Sequence, residues 1–241
     1  CIGNIKYHVM KIGVISDIHG NYDALVEVLK KAKKEDVAHL LILGDIVGYY
    51  YHPDKILELL SEWSFDMVKG NHEMIMEDLI ANPLLEESIR LKYGSGHQEA
   101  INKLTVQQLG FLKSLPETKS LQFDEVSLLM SHGSPWSNDY YIYPDCKKEI
   151  LLKCDSVAHD FVLIGHSHYA FAIKNTNSIL INPGSVGQSR QIGGKASWAI
   201  INTINKCFQL VSTDYNIEKL VNEIEEKDPE IKYLTNILKR N

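Results

Sequence analysis

A chain of 241 residues, of which 44% are hydrophobic and 23% charged, has the size and composition of an ordinary globular protein with one large domain or two small ones. The formal net charge of -6 does not favour a general nucleic-acid-binding protein, which usually presents a basic face, so we expect no nucleic-acid partner. No apolar run reaches the length of a membrane span, and we expect no membrane association.

The cysteine spacing indicates the cellular compartment, and the first nine residues raise the question of where the folded domain begins. Cys1, Cys146, Cys154 and Cys207 include no pair with C-x-x-C spacing, which predicts reduced thiols in a cytoplasmic protein rather than a zinc site or a disulfide framework. Residues 1–9 differ in character from the chain that follows, and we interpret them as a non-native or disordered N-terminal extension. The alternative is lipid modification of Cys1, but it lacks the apolar signal segment that it requires.

The first part of the chain alternates between strands and helices, which predicts a parallel α/β sheet. The expected elements are strand Lys11–Ser16, a helix carrying Leu25, Val28, Leu29 and Ala32, strand Leu40–Leu43, a helix that begins near Pro53, and strand Asp66–Lys69. Helices over Met74–Ile80, Glu86–Leu91 and Thr105–Leu115 come next. We expect residues 77–113 to form a helical insertion that shapes a cleft.

The second part is rich in strands, with two helices at its end. Short polar segments separate three pairs of strands, which predicts three hairpins: Ser120–Phe123 with Val126–Met130, Ala170–Lys174 with Ser178–Ile181, and Ser197–Asn202 with Cys207–Ser212. Phe161–Ile164 is a further strand, Asp214 is the predicted cap of one tail helix, and Asp228-Pro229 opens another. The simplest assembly is a single domain over residues 10–241, with two sheets back to back and helices outside.

Side chains of the types that commonly bind metals follow five of the apolar runs, each at the point where a predicted strand ends. Carboxylate and imidazole ligands suit Mn, Fe, Zn or Ni better than Ca or Mg, which prefer oxygen. The candidates are Asp17 and His19, Asp45, Asn71 and His72, His132, and His166 and His168. Two of these pairs have i, i+2 spacing, so we expect extended backbone that points both side chains of a pair the same way.

The polar residues after any one strand, taken alone, have a simpler explanation than metal binding. A single histidine after a strand is commonly structural, and Asp17 or Asp45 alone could cap a helix. Histidine is also plentiful outside the pattern, at His8, His39, His52, His97 and His159. The repetition of ligand-type residues over five strand ends is what indicates a metal site.

The same motifs carry a resemblance to a known family. The chain resembles the calcineurin-like metallophosphoesterase superfamily, whose motifs occur here in the family order over about residues 11–212. The segment Asn182–Gly187 is similar to the small bacterial and archaeal phosphodiesterase branch. The matching motifs are Asp17-x-His19, Gly44-Asp45, Gly70-Asn71-His72-Glu73, His132 and Gly165-His166-Ser167-His168.

The resemblance implies a fold, cofactors and roles. The fold would be a four-layer α/β/β/α sandwich of two mixed sheets flanked by helices. Two divalent transition-metal ions, Mn first among Fe, Ni, Zn and Co, would share Asp45 as a bridge and activate a hydroxide. The ligands would be Asp17, His19, Asp45 and His168 for one ion, and Asp45, Asn71, His132 and His166 for the other. His72 would donate a proton to the leaving group or stabilise the transition state, with an outer hydrogen-bonding role as the alternative.

One departure from the family concerns the substrate. Protein serine/threonine phosphatases carry an Asp and a phosphate-binding Arg where this chain has Gly48 and Tyr49, which argues against that activity and favours phosphodiesters. Tyr49 and His52, in an aromatic cluster with Tyr50 and Tyr51, are candidate substrate-binding residues, although such residues could simply pack. Arg190 is a third candidate, with a structural salt bridge as its alternative.

The sequence therefore predicts a dinuclear phosphoesterase that acts on phosphodiesters, including nucleotide-type ones, or on phosphomonoesters. A non-catalytic metal-binding scaffold of the same fold is the alternative from another class, followed by a protein serine/threonine-type phosphatase and a nuclease. The expected partner is a small phosphoester substrate, and the sequence is compatible with a homo-oligomer.

Overall fold

The computed structural model describes residues 10–241, and the predicted N-terminal extension over residues 1–9 lies outside these described residues. One sheet contains β1 (Lys11–Ile15), β2 (Val37–Ile42), β3 (Phe65–Met67), β9 (Lys195–Asn202) and β10 (Phe208–Asp214). The other contains β4 (Thr118–Phe123), β5 (Val126–Ser131), β6 (Phe161–Leu163), β7 (Ala170–Lys174) and β8 (Ile179–Pro183). Their strand orders are β10-β9-β1-β2-β3 and β4-β5-β6-β8-β7.

Helices cover the outer faces of both sheets, and the last two helices pack against the loop that follows β2. They are α1 (Tyr22–Lys34), α2 (Pro53–Leu60), α3 (Asn71–Ala81), α4 (Glu86–Tyr93), α5 (Gly96–Lys103), α6 (Val106–Ser114), α7 (Lys148–Lys153), α8 (Glu218–Lys227) and α9 (Lys232–Leu238). A single 3-10 turn spans Pro83–Leu85. No helix within residues 10–241 combines the length and the apolar composition that crossing a membrane requires.

Apolar side chains on alternate strand positions build one core between the sheets and one core outside each sheet. Between the sheets, Val14 and Leu41 share a buried cluster with Phe161. Residues on the opposite face, such as Leu40, pack against α1 and α2, and the outer face of the second sheet packs against α7. This arrangement confirms the predicted four-layer sandwich of two mixed sheets.

The three predicted hairpins are present as antiparallel pairs: β4 with β5, β7 with β8, and β9 with β10.

The predicted starts of the tail helices were wrong. Asp214 is the last residue of β10, where it pairs with Lys195, and α8 begins at Glu218. Asp228 ends α8 instead of opening α9, because its buried carboxylate accepts hydrogen bonds from Tyr51 and Ser95.

The parallel strands bring their carboxyl ends to one edge of the molecule. In the first sheet β1 pairs in parallel with β2, and β2 with β3. In the second sheet β5 pairs in parallel with β6, and β6 with β8. Sites in α/β proteins form outside the carboxyl ends of such strands, and the predicted ligands lie there.

Candidate metal centre

Eight predicted site residues lie together where these strands end, and all but Asn71, which is half-buried, are buried. The loops after β1 and β2 supply three of them, the first turn of α3 two, and the loops after β5 and β6 three. In chain order they are Asp17, His19, Asp45, Asn71, His72, His132, His166 and His168. The structure therefore brings together side chains from both sheets, as far apart in the chain as residues 17 and 168.

The backbone that presents these side chains differs from the expected extended form. Asp17, His19, His166 and His168 have φ angles of 54°, 51°, 63° and 61°, all in the left-handed region, and Asp45 has a φ of 56°. β1 ends at Ile15 and β6 at Leu163, so both motifs lie in tight turns. Non-glycine residues adopt this region at a cost that surrounding structure must offset, and such residues concentrate at functional sites.

α3 begins at Asn71, three residues before the predicted start, because Glu73 anchors its first turn. The Glu73 carboxylate accepts hydrogen bonds from the backbone N–H of Gly70 at 2.8 Å, Asp45 at 2.8 Å and Ile46 at 2.7 Å. In turn Asp45 Oδ1 accepts the His72 backbone N–H at 2.8 Å. A carboxylate at a helix N-terminus satisfies unpaired N–H groups, so Asp45 is held in place by α3.

Three of the predicted ligands form the first cluster: Asp17, His19 and His168. Asp17 Oδ1 lies 3.1 Å from His168 Nε2 and 3.7 Å from His19 Nε2. Asp45 Oδ2 is also 3.7 Å from His19 Nε2. All four predicted ligands of one ion therefore surround a common space.

The second cluster contains Asp45, His132 and His166. His132 Nε2 lies 3.2 Å from Asp45 Oδ2 and 3.0 Å from Asn71 Oδ1. Because Asp45 approaches His19 as well as His132, it lies between the two clusters, in the position that a bridging ligand requires.

Backbone carbonyls fix which ring nitrogen faces the centre. The Nδ1 atoms of His19, His132 and His168 lie 3.0, 2.6 and 2.8 Å from the carbonyl oxygens of Val47, Leu43 and Gln188, respectively. A carbonyl only accepts hydrogen bonds, so Nδ1 carries a proton in each ring and Nε2 is the nitrogen that faces the centre, where a neutral ring presents its lone pair. His166 is reversed, because its Nε2 lies 3.1 Å from the Asp139 carbonyl oxygen, and Nδ1 is left to face the centre.

These contacts fit a bound cation. His19 Nε2 and His168 Nε2 are 3.1 Å apart, yet both Nδ1 protons go to carbonyls, so in the neutral rings two lone pairs face each other. Asp17 Oδ1 is also buried and accepts no hydrogen bond within residues 10–241. Such contacts destabilise the fold when nothing lies between them, and a divalent ion would satisfy all of them together.

Burial and the facing charges set the protonation of the centre. Burial lowers the pKa of His19 to about 3 and that of His166 to about 4, so both rings are neutral, as metal ligands must be. Burial acts in the same direction on His132, but the Asp45 carboxylate raises its pKa to about 9. Although burial raises the pKa of Asp45, the facing His132 holds that pKa well below its usual range. Positive charge is therefore favoured between these two groups.

His72 has a partner that the sequence did not reveal. Its Nδ1 lies 3.1 Å from Nε2 of His97, and the two rings stack with their centroids 4.9 Å apart. No local pattern in the sequence connects His97 to His72, because the rest of α3 and all of α4 separate the two residues in the chain. Gly96 allows the contact, since a Cβ at that position would overlap the backbone of Tyr49.

Gly48 completes the surroundings of His72. A Cβ at Gly48 would overlap His72 Nδ1, and its φ of 88° favours glycine. The Asp that protein phosphatases carry at this position would have no room here, and His97 occupies the space beside His72 Nδ1 instead.

The three predicted substrate residues have different surroundings. Tyr49 is 6% exposed, with its ring 4.7 Å from that of His19 and 4.8 Å from that of His72. Arg190 lies over the Tyr141 ring at 5.8 Å, in the same cavity as Tyr49. The structure does not bring His52 to the centre, because its Nε2 pairs with Glu223 of α8 at 2.8 Å. Tyr50 and Tyr51 are fully buried against α8 and α9.

A cavity of about 540 Å³ opens beside the centre. Asn71 and His166 reach its wall from the centre, Asp78 and Tyr93 come from α3 and α4, and Asp139 comes from the loop after β5. Helices α3 to α6 cover the predicted insertion over residues 77–113. That this segment is an insertion stays a prediction, but its side chains do line the cavity.

Comparisons with known proteins point to one family. Residues 10–206 match the model of the calcineurin-like phosphoesterase superfamily domain. An uncharacterized protein of Methanocaldococcus jannaschii is 30% identical over 233 residues, which cover 88% of this chain and 91% of that protein.

Two solved structures share the fold. The metallophosphoesterase from Sphaerobacter thermophilus matches with a TM-score of 0.76 at 24% identity, over 97% of this chain and 100% of that one. A hypothetical protein from Pyrococcus horikoshii matches with a TM-score of 0.82 at 19% identity, over 96% of this chain and 98% of that one.

Proposed function

The chain belongs to the calcineurin-like phosphoesterase superfamily, and from this premise we propose that it is a dinuclear metal-dependent phosphoesterase with a preference for small phosphodiesters. One observation carries the proposal: two clusters of buried ligand-type side chains meet at Asp45, and in the first of them the Nε2 lone pairs of His19 and His168 face each other beside an Asp17 oxygen that accepts no hydrogen bond within residues 10–241.

Two sets of residues would hold the ions. Asp17, His19, Asp45 and His168 surround one position, and Asp45, Asn71, His132 and His166 surround the other. When bound, two divalent ions neutralise charge on the phosphate oxygens and lower the pKa of a coordinated water. Mn fits the mixture of carboxylate, amide and imidazole ligands, as do Fe, Ni, Zn and Co.

His72 is the proposed catalytic side chain, and His97 is its positioning residue. His97 Nδ1 is buried and has no hydrogen-bond partner among the described residues. An unpaired buried N–H is rarer than an unpaired acceptor, so the stable arrangement places the His97 proton on Nε2, where it donates to His72 Nδ1. The His72 proton is then on Nε2, available to a leaving oxygen.

The diester preference follows from what is missing around the phosphate. Gly48 and Tyr49 replace the acidic residue and the arginine of the protein phosphatases, so no guanidinium from this loop grips a doubly charged monoester. A diester phosphate carries one charge less. Because Gly48 has no room for a side chain, the protein phosphatase alternative is disfavoured.

A non-catalytic scaffold of the same fold is the second candidate. Such proteins do not need an intact metal site, whereas all seven proposed ligands are present here and in contact. The His72–His97 pair also has no evident structural purpose, because burying two histidines with one unsatisfied nitrogen costs free energy.

Hydrolysis of bis-p-nitrophenyl phosphate beside p-nitrophenyl phosphate tests the proposal. Protein loaded with Mn, Fe, Co, Ni or Zn is expected to hydrolyse the diester with the higher kcat/KM. A protein that binds two ions and hydrolyses neither ester with any of these metals would instead be a scaffold. A clear preference for the monoester would leave the phosphoesterase in place and refute the diester preference.

A further inference from the structure

A second cavity adjoins the metal centre on the side of Tyr49. Its volume is about 680 Å³, within the range of small-molecule sites. It shares Lys92, Tyr93 and Tyr141 with the cavity over the centre. Because the Tyr141 ring lies 3.8 Å from that of His166, the cavity begins one ring away from a proposed ligand.

Aromatic rings dominate the walls of this cavity. Half of the chain's 12 tyrosines line it, a concentration that core packing does not explain because all of these residues except the buried Tyr49 are partly open to solvent. Tyr141 is 43% exposed and Tyr233 is 41% exposed. Exposed rings around a concave surface are suited to stacking on an aromatic group, which contributes about 1–3 kcal/mol per base in nucleic-acid complexes.

The cavity also concentrates positive charge. Lys92, Arg190 and Arg240 line it, and none of its lining residues is acidic. Among the described residues these three cations form no salt bridge, whereas the chain's other arginine, Arg90, pairs with Glu230 and Asp228. The neighbouring cavity differs, since Asp78, Glu117 and Asp139 line it.

Of these three cations, Arg190 has the surroundings best suited to binding an anion. It lies half-buried in the loop after β8, at the wall of the cavity. Its guanidinium lies over Tyr141, and its carbonyl accepts a hydrogen bond from Arg240 at 2.6 Å. A partly buried guanidinium without a carboxylate destabilises the protein unless an anion binds, and its planar fork matches a phosphate.

We propose that this cavity binds the part of the substrate that is not cleaved, and that this part is a nucleotide-type group, an aromatic ring with a phosphate additional to the scissile one. The inference rests on the proposed phosphoesterase function. The scissile phosphate lies at the metal ligands, so it leaves the three cations of the cavity without a partner. A further phosphate supplies that partner, and the ring stacks on the tyrosines.

Two substrates with the same leaving group and the same ring isolate the contribution of the additional phosphate. The first is the 4-nitrophenyl ester of thymidine 5′-phosphate, and the second is the same ester with an added 3′-phosphate. The Mn-loaded wild type is expected to have a kcat/KM about 10- to 100-fold higher for the second, the range of hydrogen bonds to charged groups. Arg190→Met should remove most of that difference, because the loss falls on the substrate that carries the additional phosphate.

Matched variants sharpen the test. Arg190→Lys should retain part of the preference, and Lys34→Met, at the exposed end of α1, should retain all of it. Equal rates for both substrates in the wild type, or an equal loss for both in Arg190→Met, would overturn the proposed site while leaving the phosphoesterase intact.

Binding without turnover gives an independent result. In calorimetric titrations of the metal-free protein, thymidine 3′,5′-bisphosphate should bind at least tenfold more tightly than either thymidine or ribose 5-phosphate. Arg190→Met should reduce that advantage. If the wild type hydrolyses no ester but shows this pattern, the proposed function fails and the binding site stands. If thymidine and its bisphosphate bind equally, the phosphate site is refuted, and if ribose 5-phosphate equals the bisphosphate, the aromatic site is refuted.

Discussion

His72 approaches the candidate metal centre from the first turn of α3, but its Nδ1 atom faces His97, so among the described residues only Nε2 is left without a hydrogen-bond partner. His19, Asp45 and His72 also lie close enough to hold an ion together, so geometry alone allows His72 as a ligand. The hydrogen bond to His97 supports a catalytic role, because metal ligands in this centre use carbonyls as their outer partners.

His72→Ala is expected to retain two ions per chain and to lose turnover by about 10²- to 10⁴-fold, the usual contribution of a general acid. Elemental analysis of the purified variant and its kcat for bis-p-nitrophenyl phosphate measure the two effects. If metal content falls together with turnover, His72 is a ligand and the proposed division of roles is wrong.

The role of His97 predicts a dependence on the leaving group. His97→Leu removes the donor to His72 Nδ1, so diesters with poor leaving groups such as phenol should slow more than those with p-nitrophenol, which needs less protonation. His97→Gln keeps a donor and should recover part of the loss. An equal slowing for both leaving groups would show that His97 acts only through packing.

At the scale of elements, Glu73 joins the loop after β2 to the start of α3. One carboxylate accepts backbone N–H groups from both segments, and those segments carry Asp45, Asn71 and His72. The centre therefore depends on a side chain that binds no metal in the proposed scheme.

Glu73→Ala should lower the free energy of unfolding by about 3 kcal/mol or more, because it leaves three buried N–H groups without acceptors. It should also weaken metal binding by about 10- to 100-fold, the effect of losing an outer partner. Denaturant unfolding and metal titration measure these effects. Glu27→Ala is the control, since the exposed pair of Glu27 with Lys30 should contribute at most about 1 kcal/mol. Equal effects of the two substitutions would contradict this role.

The elements that the sequence predicted are those with strong local patterns. Runs such as Leu40–Leu43 are apolar at every position, as strands buried on both faces must be, and the hairpin turns contain polar residues between such runs. α5 was missed because Gly94, Ser95 and Gly96 suggest a loop, although the helix that follows packs Ala100 into the core. α7 is only six residues long, too short for a periodic pattern.

In the candidate site too, the features with a local sequence pattern were predictable and those that arise from tertiary contacts were not. The ligand types and their order in the chain could be read from the sequence, whereas the left-handed backbone at Asp17 and His166 could not, because it results from packing between loops. The contact between His72 and His97 is likewise tertiary, as is the hydrogen bond that joins His52 to Glu223.

On the scale of the whole molecule, the centre links the two sheets through buried groups that repel one another without a cation. Divalent ions bind only the folded chain, so an ion at 100 times its Kd should add about 2.7 kcal/mol per site. For a domain of this size that corresponds to a rise in Tm of about 5–10 °C for each occupied site. Thermal melts with Mn and with EDTA measure it, and Ca, which prefers oxygen ligands, should produce a smaller shift. An unchanged Tm would contradict a preformed metal centre.

The central claim is that two ions sharing Asp45 activate one phosphoesterase site. Titration of the metal-free protein with Mn, followed by the rate of bis-p-nitrophenyl phosphate hydrolysis, tests it most directly. We predict no turnover without metal, a rate that saturates at two equivalents, and an Asp45→Asn variant that loses both ions and the activity together. Saturation at one equivalent, activity that survives chelation, or an Asp45→Asn variant that keeps one site at full affinity would contradict it.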